Sequence, residues 1–120
     1  MAHLTVTVEN VSPKGGDLRL SLYDKAHYDG RDGKAVVDMV VPAQSPRTDV
    51  VLPPVPPGIY AIKMFQDYNK NGEFDFTWLG LPAEGYGFSN NAKPIFSEPG
   101  FDKTQFTLPA GNQTQTIRLQ

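Results

Sequence analysis

Ile59-Tyr60-Ala61-Ile62-Lys63-Met64-Phe65 is apolar on both faces except at Lys63, and it runs through Gln66 straight into Asp67-Tyr68-Asn69-Lys70-Asn71-Gly72-Glu73-Phe74-Asp75. A short run that is apolar on both faces suits a strand covered on both sides. Pro53-Pro54-Val55-Pro56-Pro57-Gly58 comes before it as a stop, because proline fixes φ and removes a donor. Tyr60, two residues after Gly58, is placed for a tyrosine-corner-like contact. The reading that follows is a central strand that anchors a loop rich in Asp and Asn.

Outward from this strand the chain repeats a period of two. Leu4, Val6 and Val8 alternate with threonines, and Leu18, Leu20 and Leu22 alternate with polar residues. Val11 to Gly16 is turn chemistry, so these two segments read as a hairpin with a longer loop. Lys25 to Gly33 is polar and reads as an exposed loop. Lys34 to Val41 and Thr48 to Leu52 give two more strands. Gln105–Leu108 and Gln113–Leu119 read as a closing hairpin around Pro109 to Asn112. Between Thr77 and Lys103 no strand or helix period appears, and a stretch of that length in a small domain is a functional or self-packed loop.

Composition agrees. The 120 residues make one domain, 1–120, with a single core. With 11 Gly and 11 Pro the chain is rich in turns, and the expected fold is all-β: an antiparallel two-sheet sandwich, Ig-like or prealbumin-like, of about seven strands, with a long ordered loop after the central one. The formal net charge of -2 offers no electrostatic footprint for nucleic acid. Cysteine is absent, which excludes disulfides and thiolate chemistry. No apolar run approaches the roughly 20 residues that cross a bilayer. A monomer is expected.

The 67–75 loop carries the sharpest chemical signal. Asp67, Asn69 and Asn71 alternate, Gly72 is sixth and Asp75 ninth, which matches most of the D-x-[DN]-x-[DN]-G pattern. A hard cation takes six to eight oxygens, so the chain curls round it, and glycine makes the sharp turn. The metal-ligand set read from this spacing is Asp67, Asn69, Asn71, the Glu73 carbonyl and Asp75, with calcium as the ion. Trp78 stands at the twelfth place, where a helix–loop–helix site has its bidentate Glu, so the site is not an EF-hand. With only two carboxylates, the expected affinity lies near the roughly 10⁻⁴ to 10⁻³ M class. The competing reading is a plain Asx-rich turn that satisfies its own backbone.

Trp78, Glu84, Tyr86, Phe88, Asn90 and Asn91 form a candidate surface for a sugar or a peptide, with ring packing and backbone capping as the competing reading. Enzyme signatures are absent: His3 and His27 have no nucleophile at motif spacing, and there is no phosphate loop, nucleophile elbow or His-Glu-x-x-His. A non-enzymatic module is the favoured class. The alternative is a small carbohydrate-active enzyme or sugar-binding protein using Asp67, Asp75, Glu84 and the loop aromatics.

Pro57-Gly58-Ile59-Tyr60-Ala61, the Asp67–Asp75 loop and Leu79-Gly80-Leu81-Pro82-Ala83-Glu84-Gly85-Tyr86-Gly87-Phe88-Ser89-Asn90-Asn91-Ala92 together resemble the bacterial domain-of-unknown-function family 2141. The resemblance spans nearly the whole chain. It implies a small exported protein, periplasmic or secreted, a leader peptide having been removed ahead of Met1, with the cytoplasm as the alternative. It implies no defined activity. The implied partner is an envelope protein or a glycan. The Pro-Gly-x-Tyr strand with its Asp-x-Asn-x-Asn-Gly loop is also similar to prealbumin-like and surface-repeat sandwich modules, some of which bind calcium there.

Overall fold

The computed structural model describes residues 1–30, 34–73, 84–94 and 98–120. Its strands are β1 (Ala2–Glu9), β2 (Asp17–Tyr23), β3 (Val37–Pro42), β4 (Thr48–Val51), β5 (Gly58–Asp67), β6 (Tyr86–Phe88), β7 (Phe106–Leu108) and β8 (Gly111–Arg118). They form a two-sheet sandwich. One sheet has the order β4-β1-β8; the other runs β3-β2-β5, with β6 and β7 sharing the far edge of β5. The residues read as inward-facing are inward: Leu4, Val6, Val8, Leu18, Leu20 and Leu22 are all at most 1% exposed. The apolar run 59–65 lies within the longest strand, β5, which has strand neighbours on both sides.

Strand partners differ from expectation in two places. β1 and β2 are not a hairpin: β1 pairs with β4 and β8, while β2 pairs with β3 and β5. Likewise β7 joins β5, whereas β8 joins β1 in a parallel ladder from Ala2↔Gly111 to Glu9↔Arg118. Period-two alternation states which face is buried and is silent about the neighbour. In a sandwich a chain segment that turns also has the option of crossing to the opposite sheet. Elements also appear where loops were expected: α1 (Lys25–Asp29), and in the segment read as lacking any period β6, a 3₁₀ turn at Ser89–Asn91 and α2 (Phe101–Thr104). α1 has a legible cause, since Asp24 accepts from the His27 N–H as an N-cap.

Two buried polar side chains knit the layers. Gln66, fully buried, accepts from Ser12 N–H and donates to the carbonyls of Ser12 and Gly15, so the 12–16 turn is clamped to the end of β5. Ser89, also fully buried, fills the gap between β6 and β7: its Oγ accepts from Ile62 N–H and donates to the Thr104 carbonyl. The hydroxyl thus continues the β5 ladder where no strand does. At the start of β5, the Tyr60 hydroxyl donates to the Pro56 carbonyl at 2.6 Å, the corner contact its position suggested.

Ser89→Ala deprives a buried donor and a buried acceptor of their partner at once, so the expected cost is about 2 to 4 kcal/mol in urea unfolding. The Ile62 amide should exchange faster with solvent deuterium than its neighbours in β5. An unchanged midpoint and unchanged exchange at Ile62 would remove the bridging role.

Candidate functional site

Asp67 is the last residue of β5, and its outward-facing side chain is fully buried. A carboxylate out of water needs several hydrogen bonds to remain there. Its Oδ2 accepts from Arg19 Nε at 2.9 Å and from Gly72 N–H at 2.8 Å, while Oδ1 accepts from Asn71 N–H at 3.2 Å. Burial pushes this carboxyl up, but the Arg19 guanidinium and the two backbone donors outweigh it and hold the group below the usual carboxylate range.

The loop curls round that carboxylate through positive φ at Lys70 (57°) and Gly72 (81°), the second supplied by the residue type that adopts it without strain. Asn69 Oδ1 accepts from Asn71 N–H at 3.3 Å, and Asn71 Oδ1 accepts from Glu73 N–H at 2.9 Å. Asp67, Asn69, Asn71 and Glu73 are therefore brought into one turn. Asp75 and Trp78 lie outside the described residues. Among the described residues no group of three or more His, Cys, Asp or Glu side chains lies together.

The topology adds two residues that sequence reading missed. Arg19 reaches Asp67 diagonally across the β2–β5 ladder, and Asp17 stands directly opposite Asp67 in that ladder. Residues opposite one another project from the same face, so Asp17 is a second carboxylate beside the first. Neither was detectable by spacing, since the two lie on different strands; only the register joins them. Gly16 completes the seat: a Cβ there would fall 2.0 Å from the Asp67 carbonyl oxygen.

Glu84 is buried and accepts from Tyr68 N–H at 2.8 Å. The Tyr68 hydroxyl in turn accepts from Gly85 N–H at 3.0 Å. This reciprocal clasp fastens the loop to the segment leading into β6. Tyr86 and Phe88 project from β6 as an edge-to-face pair with centroids 6.2 Å apart. Asn90 donates to the carbonyls of Lys103 and Gln105, and Asn91 Oδ1 accepts from Arg118 N–H. Both asparagines adopt left-handed φ. The structure thus gathers the 67–73 residues at one end of β5, and Tyr86, Phe88, Asn90 and Asn91 along β6 and its exit.

The profile of a family described as an uncharacterised protein conserved in bacteria, DUF2141, matches residues 6–117. The chain belongs to this family. The DUF2141 match takes in both sheets and the whole 67–73 turn, so the buried Asp67 sits inside the family's own domain. No curated protein and no solved structure matches the chain.

Because the native carboxyl of Asp67 is depressed below the unfolded value of about 3.9, its stabilisation is complete above that value and is lost as pH falls through the native one. From about pH 7 to about pH 2 the wild type should therefore lose more stability than Asp67→Asn. At neutral pH the variant should be less stable by about 2 to 3 kcal/mol. Parallel pH profiles for the two proteins in urea unfolding would contradict the assignment.

Proposed function

We propose that this chain is a non-enzymatic binding or structural module of the bacterial cell envelope, periplasmic or secreted, whose 67–75 loop is stiffened by calcium. The observation that carries the reading is the Asp67 carboxylate. It is fixed at the end of the central strand with the loop already curled round it, so little chain entropy remains to be lost when a cation arrives. The ligands proposed are all hard oxygens: the Asp67 carboxylate and the Asn69 and Asn71 amide oxygens in the turn, with Asp17 beside them, together with the Glu73 carbonyl and Asp75 from the sequence pattern. That chemistry suits calcium better than a transition metal. Residues 84–91 carry the face offered to an envelope protein or a glycan, with Tyr86 and Phe88 as its aromatic surface.

Arg19 is the competitor. Its guanidinium lies on Asp67 Oδ2, but its side chain is 32% exposed and has room to swing out. In this reading the arginine neutralises the site until an ion displaces it. The reading of Asp67 and Glu84 as acid–base groups is less favoured: Asp67 is held ionised, which removes a general acid, and Glu84 is committed to the Tyr68 amide.

Calorimetric titration with calcium, run beside melting curves, tests the proposal. The expected result is a weak exothermic or entropic isotherm in the roughly 10⁻⁴ to 10⁻³ M class, with a rise in melting temperature at saturating calcium. Asp67→Ala should abolish both, Asp17→Asn should weaken binding, and Arg19→Ala should tighten it while lowering the ion-free melting temperature. If no calcium-linked signal appears in the wild type or in Arg19→Ala, the loop is a self-satisfied turn.

A further inference from the structure

The three-stranded sheet ends on β8, and this edge is built unlike the others. In the parallel ladder with β1, alternate residues of β8 direct their amides to β1. Gly111 N–H donates to the Met1 carbonyl, while Arg118 N–H points the other way, to Asn91 Oδ1. By that alternation the N–H and C=O of Asn112, Thr114 and Thr116 face outward. Among the described residues nothing hydrogen-bonds to them, and all three side chains are exposed.

Other strands at sheet edges carry the features that keep edges apart. β4 is four residues long, lies between Pro46 and Pro53 and bears Asp49; β3 bears Asp38 and finishes on Pro42. In β8 the prolines and charges stand only at the ends, at Pro109 and Arg118, and Gly111-Asn112-Gln113-Thr114-Gln115-Thr116-Ile117 between them has neither. An exposed run of this length with no gatekeeper inside it is a template for another strand.

We propose that β8 pairs antiparallel with β8 of a second copy of this chain, about a two-fold axis at Thr114, giving a continuous sheet β4-β1-β8-β8-β1-β4. Thr114 then faces its own counterpart, Asn112 faces the partner's Thr116, and each pair exchanges both backbone bonds. The spacing of the free groups, one at the centre and one two residues to either side, is self-complementary. The one charge in β8, Arg118, lies at its end and falls opposite the partner's Ala110, so self-pairing sets no like charges against each other. A peptide from another protein is the poorer fit: Asn112, Thr114 and Thr116 are small, polar and exposed and offer little side-chain surface to select it. A single strand pair is a small contact, in the size class of transient encounters, so the dimer is weak. This departs from the monomer expected from sequence, and it is independent of the ion.

Sedimentation velocity in EDTA from about 10 μM to about 1 mM tests it. The wild type should shift from monomer to dimer with concentration. Thr114→Lys and Thr114→Glu, exposed substitutions that leave the β1 ladder and the far-ultraviolet circular dichroism intact, should each weaken association at least about tenfold. An equimolar mixture of the two should restore it. A wild type that stays monomeric throughout overturns the proposal. So does a dimer that both variants leave intact, or a mixture that associates no better than either variant alone.

Discussion

A carboxylate without solvent stands at the exit of the central strand, and the surrounding structure is arranged to keep it there. Asp67 keeps its charge because Arg19, Gly72 and Asn71 all donate to it. A buried charge stripped of one partner is costly, since the remaining group has neither water nor a counterion. This constraint fixes the direction in which the chain leaves β5, and with it the curl of residues 67–73. The same carboxylate that orders the loop is the first ligand of the calcium site we propose.

The scaffold holds that residue from three sides. The β2–β5 ladder sets Asp17 opposite it and Arg19 within reach. Gln66, its neighbour in β5, clamps the 12–16 turn, and Gly16 at the end of that turn lies so close to the Asp67 carbonyl that no side chain fits. On the far side, the Tyr68–Glu84 and Tyr68–Gly85 bonds fasten the loop to the entry of β6. β6 is in turn bonded to the end of the chain through Tyr86 and Gln120, which links the two sheets. A continuous run of hydrogen bonds thus leads from the Asp67 loop to β6.

Much of this was legible in the sequence where the signal is local. Alternation identified the inward residues of β1 and β2, the two-faced apolar run identified β5, and the Asp-x-Asn-x-Asn-Gly spacing marked a tight loop there, as a calcium loop or an Asx-rich turn. Tyr60, two residues after Gly58, was placed for a corner contact, which its hydroxyl makes with the Pro56 carbonyl. What escaped was non-local. The parallel pairing of β1 with β8 joins segments about a hundred residues apart, and the Arg19–Asp67 bond spans 48 positions. Ser89 reads as one polar residue among several in a segment without period, yet it bridges two strands that are themselves separated in sequence. Register creates these contacts, and register is decided by the whole sandwich rather than by any one stretch.

The central claim is that the Asp67 carboxylate is ionised, buried and bonded to the loop amides. NMR titration following the Asp67 side-chain carboxyl carbon together with the Gly72 and Asn71 amide protons measures this directly. The account predicts that the three signals move together, with a common midpoint below the ordinary aspartate value of about 3.9. A carboxyl that titrates at or above that value, with the Gly72 amide indifferent to it, would contradict the account.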